Sequence, residues 1–574
     1  MPFDSKTGIH TGPFPPCKLP DEPLSIFEFL FPKDKEPDNF RPWILDATSD
    51  LQLTKKQACD RTLDLAKAFH KKGIRESTCS VIFSPNAVDY GPCLWANFRQ
   101  GGIVSAANPS YNASELGHQL RLVQSHYPVK LLLCHPESIV EGVKACEEAK
   151  LDSRIIVLMK AGGSDNQLAK GFPTLDDIIN ESKNDKIPPQ VFIKKEEART
   201  KLALLSFSSG TTGLPKAVEI PHFALIANVL QASSHWDATS PFKSYDAKSK
   251  TGDVVLACLP FYHIYGLVVV LHGSLYMDLP LVILPKFTLP AFCDSISRFR
   301  VSILFVVPPM IVMLVKQDVS QYDLSCVRLT MAGAAPLTDE TVKAYLKKFP
   351  HSVCGQGYGT STIVSLIDAN YRGGFPPSSA GVLVPNIEAK IVSPEGKLLG
   401  PNEIGELWSR GPSNALGYLG NEKATQETFD SERFVHTGDE CKIDENGLLF
   451  VVDRIKELIK SSGYQVPPAE LEGHLLSHPD VQDVAVIGIP DEQRGEAPKA
   501  FVVPSTAWSS SKSNSEAALI EALKKYVTDH KIKYKALSEV ELIDAIPKTP
   551  SGKLLRKDLR VRHAQSVKNR KEKL

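Results

Sequence analysis

Leu204 to Ile220 reads LLSFSSGTTGLPKAVEI, an apolar strand end that runs straight into a loop of hydroxyls and glycines closed by a lysine. Leu204 and Leu205 read as the end of a buried strand. Ser206, Ser208, Ser209, Thr211 and Thr212 place hydroxyls around Gly210 and Gly213, and Lys216 follows. Glycines let backbone N–H groups approach an anion, and hydroxyls plus one ammonium complete a cradle for a polyphosphate. The same composition also suits a plain surface loop. Its position directly after an apolar strand, with a lysine behind it, favours the phosphate reading. A P-loop ATPase fails on spacing: GTTGLPK lacks GxxxxGK[ST], and Ala217 follows Lys216.

Outward from this loop the chain alternates strand-like and helix-like segments. KKQACDRTLDLAKAFHKKG reads as a helix with Leu63, Ala66 and Phe69 on one face and a stop at Gly73. STCSVIFSPN, VKLLLCHP, SRIIVLMK, DVVLACLP, LVILPKF, VSILFVVPP and LTMAGAAPL are short apolar runs that end in Pro, Gly or small residues. This rhythm predicts βα units and a mostly parallel sheet, with ligands beyond the carboxyl ends of the strands. Residues 1 to about 50 are Pro-rich and read as irregular, apart from a short helix in PLSIFEFLF.

From 381 to 452 the strand-like segments GVLVPNIEAKIVS, EIGELW and GLLFVVD are separated by turn residues, which predicts a small barrel or antiparallel unit. Beyond it VQDVAVIGIP, KAFVVP and EVELIDAIP with the helix SEAALIEALKKYV form a smaller α+β unit, and STAWSSSKSNS reads as an exposed loop. The expected fold class is therefore α/β. A large N-terminal domain over 1–454 holds parallel βα subdomains plus the small barrel, and a smaller α+β domain covers 455–574.

The 574 residues carry 66 Lys+Arg and 66 Asp+Glu, so no net basic field attracts nucleic acid or an anionic membrane. The 11 cysteines form no CxxC pair, which argues against a disulfide framework or a zinc ribbon and for a reducing compartment. The first residues lack the apolar core of a signal peptide, and the most apolar stretch, Val301 to Val315, is too short to span a bilayer. The expectation is a soluble, cytoplasmic protein. Glu572-Lys573-Leu574 offers a weak peroxisomal address as the alternative.

SSGTTGLPKAVEIPH is similar to the signature of the adenylate-forming acyl-CoA synthetase superfamily, and the chain from roughly 50 to 560 resembles its 4-coumarate–CoA ligase and luciferase-like branch. The resemblance makes Ser208 to Lys216 an ATP phosphate loop. In LPFYHIYGL, His263 is either a core histidine among aromatics or, as the resemblance implies, the residue that meets the substrate carboxylate. Tyr262, Val307 and Val364 are candidates for the acyl pocket. In MAGAAPL, Gly333, Ala334 and Ala335 border adenylate and acyl group. In GQGYGTST, the resemblance gives Gln356, Gly357, Tyr358 and Ser361 to AMP, with the Tyr358 ring as a stacking face for adenine. The family usually ends this motif in a Glu that helps hold Mg²⁺, and Thr362 stands there instead, so metal binding is expected to differ.

In HTGDECKID, Asp439 matches the ribose-binding acid, and in VDRIKELIKSSGYQVPPAELE, Arg454 matches a ribose or phosphate contact. Lys456 falls where the family's interdomain hinge lies, and Lys456 and Lys460 also fit one charged face of a short helix. Lys460 and Gln465 match residues that approach the adenylate in the thioester-forming state. Gly463 lines the pantetheine tunnel, with Ser462 where the family often has a Lys that contacts CoA. In IPKTPSGKLLRKDLR, Lys553 matches the lysine that bridges carboxylate and α-phosphate in the first step.

The resemblance implies activation of a carboxylic acid by ATP and Mg²⁺, then transfer to CoA, by a monomer or homodimer. Its expected partners are small molecules, with no nucleic acid and no transmembrane segment. An adenylating enzyme that does not use CoA (luciferase-like or amino-acid activating) and a weakly active nucleotide-binding homologue are the competing readings.

Overall fold

The computed structural model describes all residues except 1–2, 160–166, 209–214, 237–251, 336, 361–362, 366–375, 377, 511–514, 550–551 and 572–574. Two seven-stranded sheets form the bulk of the chain. In the first, Ile103–Ala107, Cys79–Phe83, Val129–Cys134 and Ile156–Leu158 run parallel, and Leu202–Ser208 joins them beside Ile103–Ala107. Lys216–Pro221 then returns antiparallel along Leu202–Ser208, with Lys216 opposite Ser208. In the second, Val353–Gln356, Leu329–Ala332, Ile303–Val306, Val255–Ala257, Leu281–Ile283 and Pro42–Asp46 are parallel, and Gln52–Thr54 closes one edge antiparallel. The central strands such as Cys79–Phe83, Ile103–Ala107, Ile303–Val306 and Leu329–Ala332 are buried throughout, as expected where both faces of a parallel sheet are covered, whereas the edge strand Gln52–Thr54 is not. The apolar run from Val301 splits at its proline pair. Ile303–Val306 is a strand, and Pro308–Lys316 is a helix with both prolines in its first turn, where a missing N–H costs nothing.

The helix expected over 55–73 is Lys55–Lys71, with a reciprocal Thr54/Gln57 capping box, and Gly73 at φ 96° follows it. Its inward face carries Leu65 with Ala66 and Phe69, whereas Leu63 is only half-buried. The short helix in PLSIFEFLF is Ile26–Leu30.

The N-terminus departs from the irregular expectation. Phe3–Asp4 and Ile9–Thr11 form a hairpin that pairs with Glu388–Val392, hundreds of residues away. They complete an eight-stranded antiparallel sheet with Gly405–Arg410, Val435–Ile443, Leu448–Arg454 and Gly381–Val382, to which Leu398–Leu399 is appended. Its described ladder is an open path rather than a closed barrel.

A five-stranded sheet follows, built on the long hairpin Val481–Asp491 with Gly495–Pro504. Glu539–Leu542 adds in parallel to the free edge of Gly495–Pro504, and the small hairpin Ile459–Ser461 with Tyr464–Val466 joins the same edge at Gly495. The Ser-rich loop begins with a single turn, Thr506–Ser509, capped by Ser505. Among the described residues no helix is long and apolar enough to cross a membrane.

The N-terminal hairpin is seated by Gly12, where a Cβ would lie 1.9 Å from the Leu383 carbonyl oxygen. Gly12→Val should lower the Tm by several degrees in calorimetry, because backbone on both sides must move to admit the side chain.

Candidate active site

The strands Val435–Ile443 and Leu448–Arg454 carry the first part of the site. Asp439 stands opposite Arg454 in their ladder, and Arg454 Nε donates to Asp439 Oδ1 at 3.0 Å. Tyr358 donates its hydroxyl to the other carboxylate oxygen at 2.5 Å. Asp439 is 3% exposed, and burial raises its pKa while the Arg454 cation and the Tyr358 hydroxyl oppose that rise. A buried carboxylate held from two sides in this way is preorganised for a diol or cation. Gly438, at φ 70°, sits in the bulge of Val435–Ile443 against Gly405–Arg410, and its N–H donates to Glu406 at 2.9 Å.

The expected loop at 355–362 is partly extended. Tyr358–Thr360 pairs with Ile363–Ser365 as a small hairpin, and Gly357 donates to the Ala332 carbonyl. The Gln356 carboxamide both accepts from and donates to the Leu337 backbone, so this side chain shapes the Gly333–Leu337 loop. Ala334 takes a positive φ of 71° in that loop, and Ala335 is exposed. A Cβ on Gly333 would meet the Tyr265 ring at 2.8 Å.

His263 leaves Val255–Ala257 through a turn closed by its own N–H on the Pro260 carbonyl. Its Nδ1 accepts from the Tyr265 N–H at 3.3 Å, which leaves the ring proton on Nε2. Burial and the nearby Lys553 cation lower its pKa to about 4, so the ring is neutral at physiological pH. His263 lines a small cavity of ≈ 10 Å³ with Tyr265, Gly266, Val307 and Ala334, room for about one water. An acyl group enters only as these side chains move apart. Tyr262, expected in this pocket, is not among its lining residues and lies near Tyr111.

Lys553 enters from the C-terminal unit. Gly552, at φ 79°, lies so close that a Cβ would meet Val307 Cγ2 at 2.8 Å. The half-buried Lys553 ammonium interacts with Arg454, Asp439 and Glu457 as well as His263, and desolvation lowers its pKa to about 8. The structure thus gathers Asp439, Arg454, Tyr358, His263, Val307, Ala334 and Lys553 around one cleft.

Other expected residues lie elsewhere. Lys456 is exposed in the turn after Leu448–Arg454, and Lys460 sits on the strand Ile459–Ser461, so the two do not share a helix face. Pairing of that strand with Tyr464–Val466 overrides the four-residue spacing. Lys460, Ser462, Gly463 and Gln465 are all exposed on this hairpin. Ser462 and Gly463, at φ 53° and 81°, form its two-residue turn. A Cβ on Gly463 would meet open space, so here the positive φ of the turn is what asks for glycine. Ser208 and Lys216 stand opposite each other in the strand pair Leu202–Ser208 and Lys216–Pro221, and the Lys216 ammonium lies 5.0 Å from the Tyr418 ring centre. Ser209, Gly210, Thr211, Thr212, Gly213, Ser361, Thr362 and Glu572-Lys573-Leu574 lie outside the described residues, as does the Val364 side chain.

Sequence reasoning missed Gly266, where a Cβ would meet the Pro260 carbonyl at 2.2 Å, and Asn86. The Asn86 carboxamide donates to the carbonyls of Ala257 and Leu259 and accepts from the Phe261 N–H, which fixes the segment leading to His263. Asn86 follows the strand Cys79–Phe83, so the rule that chemistry gathers behind strand ends could have found it.

A neutral hydrogen-bond donor, a desolvated ammonium and a buried acid–guanidinium pair around one cleft define a site for a carboxylate and a nucleotide phosphate. Comparison with known proteins gives the class its family. Residues 40–419 match the AMP-binding enzyme model, and 470–553 match the AMP-binding enzyme C-terminal domain. The chain is 32% identical over 578 residues to 4-coumarate-CoA ligase 1 of Narcissus pseudonarcissus, covering 99% of both chains. It is 34% identical to the probable 4-coumarate–CoA ligase 1 of Dictyostelium discoideum, over 96% of this chain and 97% of the relative. Among solved structures, an ATP-bound RpMatB-BxBclM chimera superposes with a TM-score of 0.79 at 25% identity, over 94% of this chain and 99% of the other. This chain belongs to the AMP-binding enzyme family.

Histidine-labelled NMR should show His263 as the Nε2–H tautomer and uncharged from pH 8 down to about 5, with protonation only as the pH falls toward about 4.

Proposed function

We propose that this protein is an AMP-forming acid–thiol ligase that joins an organic carboxylic acid to CoA at the expense of ATP. The meeting of Lys553 and His263 at the cavity beside the Asp439–Arg454 pair carries this reading. In the first step a carboxylate oxygen attacks the α-phosphorus of ATP, and the bond to pyrophosphate breaks. The His263 Nε2–H holds the carboxylate, Asp439 accepts from the ribose hydroxyls, and Arg454 and Tyr358 keep that acid in place. The Lys553 ammonium offsets the charge that builds between carboxylate and phosphate. Ser208 to Lys216 is assigned to the β- and γ-phosphates, and Gly333, Ala334, Ala335 and Gly357 to the edge of the adenylate. In the second step the CoA thiolate attacks the acyl carbonyl and AMP leaves.

Among the described residues no group of three or more His, Cys, Asp or Glu could hold a metal ion, so these residues supply no cage for Mg²⁺. Mg²⁺ is assigned to the substrate, as the counter-ion of ATP.

Identity to ligases named for 4-coumarate supports a hydroxycinnamate or another aryl or medium-chain acid as substrate class. Cytoplasmic residence is part of the same proposal, and imaging of a fusion with a free C-terminus tests it against peroxisomal import.

Lys460, Ser462, Gly463 and Gln465 stand exposed while Lys553 occupies the cleft, so the second step needs the C-terminal unit to turn about Lys456. Lys553→Ala should abolish acid-dependent pyrophosphate release and spare thioester formation from a supplied acyl-adenylate. Gly463→Leu should do the reverse, and equal loss of both steps in both variants rejects the alternation.

The first step should also weaken as the pH rises through about 8, where the folded protein loses the Lys553 charge. Lys553→Arg should remove that limb from the pH profile of pyrophosphate release, because a guanidinium keeps its proton there.

A further inference from the structure

The helix Pro468–Leu476 is the first helix after the turn that holds Lys456, and none of the assigned catalytic residues lies on it. Residues from the other side of that turn hold it at three places. At its N-terminal end, where Pro467 offers no side-chain cap, the Ala469 N–H donates to Asp453 Oδ2 at 3.0 Å. Asp453 is 6% exposed and belongs to the strand Leu448–Arg454. At the C-terminal end, the Lys316 ammonium donates to the Leu476 carbonyl at 3.2 Å and to that of Val481. An anion at the first turn and a cation at the last complement the helix dipole. Between them Gly473 lies against Thr338, where a Cβ would meet Thr338 Cγ2 at 2.3 Å. Thr338 cannot turn away freely, because its hydroxyl caps Asp339–Lys348.

This helix is also tied to Lys553. Its Glu472 accepts from Arg556 with both carboxylate oxygens at 2.8 Å, three residues beyond Lys553, and the Arg556 charge acts on Asp453 too. We propose that Pro468–Leu476 is the docking element of the C-terminal unit. Asp453, Lys316 and Thr338 are then positioning residues that set where Lys553 enters the cleft. This inference rests on the alternation argued above and adds the contacts that select its first state. When the unit turns, the Ala469 N–H loses Asp453 and the Leu476 and Val481 carbonyls lose the Lys316 ammonium, so the contacts at the two ends of the helix favour the docked state.

Gly473→Ala is the sharpest test, since alanine strengthens a helix interior while its methyl group opposes docking on Thr338. Lys316→Met is the second, as it keeps the length of the side chain and removes the donor to the Leu476 and Val481 carbonyls. In each variant, hydrogen exchange over Gly552–Leu559 should quicken roughly tenfold, since about 1.4 kcal/mol of lost docking is a factor of ten. Exchange in the core strand Val484–Ile489 should stay unchanged. With 4-coumarate, benzoate and hexanoate as probes, pyrophosphate release should fall by a similar factor. AMP release from supplied 4-coumaroyl-adenylate and CoA should hold or rise.

Unchanged exchange over Gly552–Leu559, or equal losses in both steps, overturns the docking role. A wild-type protein that turns over none of the three acids, while the variants still exchange faster, sinks the proposed substrate class and leaves the docking element standing.

Discussion

One cation has to lose most of its water to reach the site, and the molecule is arranged around that cost. A lysine ammonium prefers water, and desolvation is the largest influence on Lys553. What brings it in is backbone geometry. Gly552 combines a left-handed turn with a contact on Val307 too close for any side chain, so the following residue points into the cleft. The Asp439 and Glu457 carboxylates then offset part of the desolvation, and Arg454 and Arg556 add to it. The result is a cation poised close to neutrality, one whose field changes strongly when a phosphate or carboxylate arrives.

The strand pair Val435–Ile443 and Leu448–Arg454 ties nucleotide and lobe contacts together. Its register sets Asp439 opposite Arg454 and Glu440 opposite Asp453. Successive residues of a strand face opposite sides, so one side offers the Asp439–Arg454 pair to the cleft. The next residue over, Asp453, reaches the Ala469 N–H of the C-terminal unit. A shift of one residue in this ladder would exchange the two functions. That constraint accounts for the glycines that pin it, Gly438 at φ 70° in the bulge and Gly447 at φ 81° in the turn.

The parallel strands were legible in the sequence because burial on both faces writes continuous apolar runs such as LVI and ILFV. Residues of the cleft were legible where they sit directly behind such a run, as with His263 and Ala334. What escaped depends on long-range pairing. Nothing local in Phe3–Asp4 or Ile9–Thr11 announces a partner at Glu388–Val392. Lys456 and Lys460 carry helical spacing, yet Ile459–Ser461 finds a strand partner two residues further on, and tertiary pairing outweighs a weak propensity. Leu63 and Leu65 both fit a helical stripe, and only packing decides that Leu65 is the buried one.

Gly463 shows why residue type alone does not reveal a role. Its φ of 81° at an exposed turn already requires glycine, with no ligand present. A place beside a bound thiol would add a second, independent demand for a small residue, one that acts only after the C-terminal unit has turned. Lys553 faces the opposite pair of demands: it is desolvated in the docked state, and turning the unit returns it to water. Hydration of that ammonium therefore favours departure, while the contacts of Asp453 and Gly473 favour docking. On the proposed alternation, a site that opens after each first step needs these two tendencies close to balance, and the contacts of Lys316, Ala469 and Gly473 offset what Lys553 gives up.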